Sequence, residues 1–143
     1  MLNLTPHAEA THWSAAYIGL AYGIDFTCWD VVRAVQRDVY ARDLPAMQIG
    51  FEPSPENWQA LRETLAGSAW HRVFDGGREG DVLLMRGPDG PHVGVVVDHC
   101  YNLSLLHNLG SVDDGIAHGS VRVDPIHALG LLGYGRFEYW RHP

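Results

Sequence analysis

Thr27-Cys28-Trp29-Asp30-Val31-Val32-Arg33-Ala34-Val35-Gln36-Arg37-Asp38-Val39 is the stretch on which the fold turns. Cys28, Val31, Val32, Val35 and Val39 recur at helical spacing, while Asp30, Arg33, Arg37 and Asp38 take the opposite face. One apolar stripe against one charged stripe predicts an amphipathic helix that starts at Cys28, with Asp25 or Thr27 as its N-cap. The helix should end before Leu44-Pro45, because the residue preceding a proline is pushed out of the helical region.

Upstream, Trp13, Ala16, Tyr17 and Leu20 share a helical face and predict a helix over 12–20, followed by an irregular link over 21–27. Downstream, Met47 to Pro55 reads as a loop. Pro55-Glu56-Asn57 then opens a second helix through Trp58, Leu61, Leu65 and Ala69, closed near Gly67. The pattern changes at Arg72, after which short apolar runs alternate with turn residues. Strands are expected at 81–86, 93–98, 103–107, 121–123 and 137–140. Gly76-Gly77, Gly87-Pro88-Asp89-Gly90 and Asp113-Asp114-Gly115 are the turns. Helices first and a meander of strands second predict an α+β fold with an antiparallel sheet, one domain over residues 1–143.

Composition narrows the chemistry. The chain has 143 residues, 46% of them hydrophobic and 19% charged, which is ordinary globular usage and one domain's length. All ten basic residues are Arg, and against seventeen acidic residues they leave a net charge of −7. A protein that grips a phosphate backbone needs clustered positive charge, so nucleic acid is not an expected partner. The absence of Lys removes Schiff-base chemistry and a phosphate-loop Lys. Cys28 and Cys100 alone make neither a disulfide scaffold nor a four-Cys zinc site. Met1 to His7 carries no basic residue and breaks at Pro6, unlike a signal peptide. The most apolar run, Val93 to Val97, falls far short of the ~20 residues that cross a bilayer. The expectation is a protein made in the cytoplasm, with no membrane partner.

Three residues carry the candidate chemistry. Cys28, at the first turn of the helix, would meet unpaired backbone N–H groups and the positive end of the helix dipole, both of which favour thiolate. His92 opens a strand in Pro91-His92-Val93-Gly94-Val95, where it would be held stiffly, as a general base must be. His107, at the end of the next strand, could take the ring N–H of His92 and fix its tautomer. A nucleophile, a base and an orienter in this order form a papain-like arrangement.

Tyr22-Gly23-Ile24-Asp25-Phe26-Thr27-Cys28-Trp29-Asp30-Val31-Val32-Arg33, then Asp43-Leu44-Pro45, resembles the NlpC family of cell-wall cysteine peptidases, and most closely its phage tail-associated members. Gly80-Asp81-Val82, His92-Val93-Gly94-Val95, Leu106-His107 and the closing segment Gly135 to Arg141 follow in that family's order. The resemblance implies a papain-like fold, Cys28 as nucleophile, His92 as base, His107 as orienter and Tyr22 lining the oxyanion site. Trp29, next to the nucleophile in sequence, is a candidate to line the substrate cleft, though helical spacing points at least as much to core packing. The resemblance also implies hydrolysis of an amide in peptidoglycan stem peptides, between D-glutamate and the diamino acid, with no cofactor. Other phage tail proteins are the implied partners, and the virion or the periplasm the place of action. The acidic balance fits such docking better than adherence to an anionic wall. Two departures concern the rim: Phe26-Thr27 fill the place of a Gly-Gly pair, and Asp30 replaces a small residue.

Rival readings are an amidase cutting at the sugar–peptide junction and a tail structural protein with little turnover. The amidase group carries Gly immediately before its catalytic His, whereas Pro91 stands here. A zinc reading of Asp98-His99-Cys100 with His92 is disfavoured, because strand alternation sends neighbours to opposite faces. Cys100 is then an inert thiol, and His118 and His127 are surface residues. His7, His12, His71 and His142 have no assigned partner, and Trp58, Trp70 and Trp140 are core or groove-wall residues.

Overall fold

The N-terminus of helix α1, Cys28–Tyr40, decides where the chemistry can sit. Thr27 is its N-cap in extended conformation, and Asp30, three residues on, accepts from the Thr27 N–H at 2.9 Å and from its hydroxyl at 3.1 Å. The carboxylate thereby satisfies a backbone donor that the helix itself leaves orphaned. Ala41, in left-handed conformation, ends the helix, and the Arg42 N–H closes on the Gln36 carbonyl. The computed structural model describes residues 12–23, 25–47, 55–99 and 102–143.

Helix α2 spans Pro55–Gly67, and its Leu61 and Leu65 are fully buried. Six strands follow: β1 His71–Val73, β2 Val82–Gly87, β3 Gly90–His99, β4 Asn102–Asp113, β5 Ile116–Pro125 and β6 Gly135–Arg141. They form one sheet in the order β1-β6-β2-β3-β4-β5, with every pair antiparallel. The fold is therefore α+β, as expected. Asp114 and Gly115 at the β4–β5 turn both have positive φ, the two-residue geometry that matches sheet twist.

Alternation along the strands divides the apolar residues between two faces. Val82, Leu84, Val93, Val95, Val97, Leu106 and Val121 pack under α1 and α2, with Trp70 and Trp140. Leu83, Met85, Val96 and Leu105 pack on the other face under Leu129, Ile126, Tyr134 and Tyr139. Leu129 belongs to a 3-10 helix, Ile126–Leu132, that the sequence pattern did not mark. Nor did it mark β1, which has three residues.

Two further expectations are corrected. The helix over 12–20 is only a 3-10 helix, Trp13–Ala16. Gly19 has φ 93°, and the chain turns to pair with β5 through Gly19 N–H to Val121 O and Tyr22 N–H to Gly119 O. β4 and β5 also run well past their expected ends, because they pair continuously from Ser104↔Pro125 to Asp113↔Ile116. The predicted loop falls mostly on 48–54, outside the described residues. No helix among the described residues is long and apolar enough to cross a membrane.

Candidate active site

A parting of two strands makes the site. β3 pairs with β4 only from His99↔Asn102 to Val95↔Leu106, yet β3 continues back to Gly90 on β2 and β4 continues forward on β5. The gap beyond Val95 and Leu106 lies where the N-terminus of α1 arrives. Gly94 allows close passage where the strands begin to part: a Cβ there would stand 2.6 Å from Leu105 Cγ and 2.8 Å from the Leu106 carbonyl oxygen. The pocket in this gap is lined by Tyr22, Cys28, His92, Asn108, Tyr134 and the β2–β3 turn.

Cys28 is the first residue of α1 and is buried. Backbone N–H groups of Val93, Trp29 and Cys28 itself are directed at its sulfur. The Val93 amide is free for this because of the parting. Val96 exchanges hydrogen bonds with Asp81 and Gly80 on the β2 side, so alternation turns the Val93 amide toward β4, which has no residue opposite it. Even so, burial pushes the thiol up to about 11, with the Asp30 carboxylate adding to the rise. Burial thus opposes the thiolate that the helix start favours, and the balance lies toward the neutral thiol.

His92 is the third residue of β3, not the first, and His107 lies in the middle of β4, not at its end. They nevertheless meet: His92 Nε2 is 2.8 Å from His107 Nδ1. His107 Nε2 lies 2.7 Å from Asp124 Oδ2, and Arg122 donates to the other Asp124 oxygen at 2.7 Å. Donor–acceptor arithmetic fixes every proton in this chain. The carboxylate only accepts, so His107 carries its proton on Nε2 and offers a lone pair at Nδ1. His92 must then donate from Nε2, which leaves its Nδ1 as a bare base. Burial, then the neighbouring His107, hold His92 well below its ordinary 6.5. Burial also lowers His107, against the opposing pull of Asp124. Burial alone would raise the Asp124 carboxyl, but the bonds from Arg122 and His107 outweigh it and keep it below the usual range. Both imidazoles are neutral at rest.

Tyr22 lines the pocket with its hydroxyl kept protonated: burial, then Cys28 and Asp30, push it up to about 12. Its ring sits where a Cβ on Gly110 would clash with it, and Gly110 pairs with Gly119 across the hairpin. Two paired glycines therefore seat the tyrosine. Trp29 is a correction. Its side chain is fully buried, Nε1 donates to the Pro45 carbonyl at 2.8 Å, and it packs in the α1 core instead of lining the pocket.

Three site residues carry no signal in the sequence pattern: Asp124, Tyr134 and Asn108, the neighbour of His107. Tyr134 lies against His92 with ring centroids 5.0 Å apart and planes at 23°. Asn108 donates to the Phe26 carbonyl at 2.8 Å, tying the segment before Cys28 to β4. The zinc alternative loses its geometry, since His92 and Asp98 are six residues apart on one strand, about 20 Å. Cys100 and the side chain of His99 lie outside the described residues. His118 and His127 are exposed. His12, left without a partner by the sequence, is bonded to Glu79, and His142 packs edge-on against Trp70.

No family model, curated protein or solved structure matches the chain.

Proposed function

We propose that the chain is a papain-like cysteine peptidase of the NlpC kind that hydrolyses an amide in peptidoglycan stem peptides. The observation that supports it most is the directed proton chain Asp124–His107–His92, ending in a bare nitrogen in the same pocket as Cys28. Such a chain has a use wherever a neutral thiol must be deprotonated as it attacks. The thiol proton passes to His92 Nδ1 while sulfur bonds to the scissile carbonyl carbon. The Cys28 N–H and the Tyr22 hydroxyl face the developing oxyanion. His92 then protonates the leaving amine, and water, with His92 as base, releases the acid from the thioester. By its resemblance to NlpC peptidases, the bond in this reading is the one between D-glutamate and the diamino acid, and the protein acts in a phage tail, docked on other tail proteins. No cofactor takes part in these steps.

Purified protein should release peptide fragments with a new diamino-acid amino terminus from cell-wall sacculi. Cys28→Ala should lower that release by at least about 10³-fold while circular dichroism stays unchanged. Equal release by Cys28→Ala would overturn the mechanism. Release of whole stem peptides from the sugar would move the reading to the amidase.

A further inference from the structure

Resting on the hydrolytic reading above, we propose that Tyr134 is a positioning residue whose ring face stabilises the His92 imidazolium formed when Cys28 gives up its proton. The two rings are stacked, centroids 5.0 Å apart and planes at 23°. An aromatic face carries negative charge density, and a cation over it is stabilised most where water is excluded. His92 is 8% exposed, so little water competes. The charged and titratable groups around it are His107, Asp124 and Arg122 from β4 and β5, Cys28 and Tyr22 from the helix side, and Asp89 from the β2–β3 turn. Of these the nearest is His107, whose coulombic effect opposes a charge on His92, and Asp124 acts only through His107. Among the described residues, the Tyr134 ring lies flat on the imidazole, whereas His107 meets it edge-on.

The stack is held from behind. A Cβ on Gly87 would collide with Tyr134 Cε1, so the absence of a side chain at Gly87 lets the ring lie between the turn backbone and His92. Gly133, with φ 91°, turns the chain out of the 3-10 helix immediately before Tyr134, and the Tyr134 N–H bonds back to the Leu129 carbonyl. The ring is thus held between Gly87 and His92, and its own backbone is set by Gly133. The balance of the step is simple: the S–H bond breaks, an N–H bond forms at Nδ1, and the positive charge appears under the ring.

The test follows the His92 ring by NMR across pH in the full chain, with Tyr134→Phe, Tyr134→Leu and Gly87→Ala beside the wild type. Tyr134→Leu removes the aromatic face and should lower the His92 midpoint by about 0.5–1 pH unit, and Gly87→Ala, which pushes the ring aside, should do the same. Tyr134→Phe keeps the face and should leave the midpoint in place. Alkylation of Cys28 near neutral pH, read by mass on its own peptide, should slow about three- to tenfold in the first two variants only. An equal drop in Tyr134→Phe would assign the effect to the hydroxyl and overturn the proposal, as would an unmoved midpoint in Tyr134→Leu. If Tyr134→Leu does not fold, Gly87→Ala decides. A midpoint that drops as expected in Tyr134→Leu, beside a wild type that leaves sacculi intact, upholds the stack and removes the hydrolase; cleavage by the wild type with an unmoved midpoint in Tyr134→Leu does the reverse.

Discussion

At the scale of single residues, Asp124 settles more than its distance from the sulfur suggests. Its carboxylate accepts from His107 Nε2 at 2.7 Å, and every tautomer between it and the pocket follows from that. Asp124→Asn offers an amide whose N–H₂ can donate to His107 Nε2. His107 then carries its proton on Nδ1, His92 can no longer donate from Nε2, and its Nδ1 ceases to be a base. In the proposed hydrolysis, turnover should fall by about 10²–10³-fold. Because bulk and fold change little, the deciding readout is the ¹⁵N spectrum of the two imidazoles. In the variant the protonated nitrogen of His92 should switch from Nε2 to Nδ1; an unchanged tautomer pattern would remove Asp124 from this role. His107 was visible in the sequence as the next strand-borne His. Asp124 was not, because its place beside His107 depends on the β4–β5 register, in which Leu105↔Asp124 and His107↔Arg122 set acid and imidazole on one face. No local pattern announces a register that runs seventeen residues in sequence from one partner to the other.

At the scale of elements, the N-terminus of α1 sets two demands on Asp30 against each other. As a cap it holds Thr27 and so the start of the helix; as a charge it raises the Cys28 thiol. Asp30→Asn separates the two, because an amide oxygen can still accept from the Thr27 N–H. The pH curve for alkylation of Cys28 should move to lower pH, while unfolding free energy changes by less than about 1 kcal/mol. A curve that stays in place would mean that the charge does not reach the sulfur. The helix itself was legible, since the 3.6-residue spacing of Cys28, Val31, Val32 and Val35 is long and clean and those residues are buried as a stripe. The parting of β3 from β4 was not. Strand propensity tells where a chain is extended, but Val93, paired on one side only, has the same β-branched side chain as Val95, paired on both. Which strand edge opens is decided by the helix end inserted there. Trp29 shows the converse error: adjacency to Cys28 in sequence pointed to the cleft, whereas one step around a helix turned it into the core.

For the whole molecule, burying this site makes stability depend on pH from both sides. His92 and His107 are held below their ordinary 6.5 in the native state, while the unfolded chain returns both to water. Between the native values and 6.5 the unfolded state therefore binds more protons, and stability rises with pH. Above that range both imidazoles are neutral in either state, and their contribution is flat. Asp124 acts in the same direction further down: its depressed carboxyl adds stability above the unfolded value, lost as pH falls through the native one. Cys28 begins the fall at the alkaline end, and Tyr17, Tyr22, Tyr40 and Tyr134, raised from 10.0 to about 12, continue it above pH 10. An unfolded thiol begins to ionise near 9.0, whereas the buried one keeps its proton to about 11, so stability falls as pH rises through that interval. Urea unfolding followed from about pH 5 to about pH 9 should trace a plateau with two flanks, the acid flank bounded by two protons, or ~2.7 kcal/mol per pH unit. His107→Gln, which leaves one buried imidazole, should lower the acid slope, and Cys28→Ala should make the alkaline flank shallower up to about pH 9. An acid flank that keeps its full slope in His107→Gln would show that protons elsewhere in the chain set it, and that the buried pair costs the fold nothing.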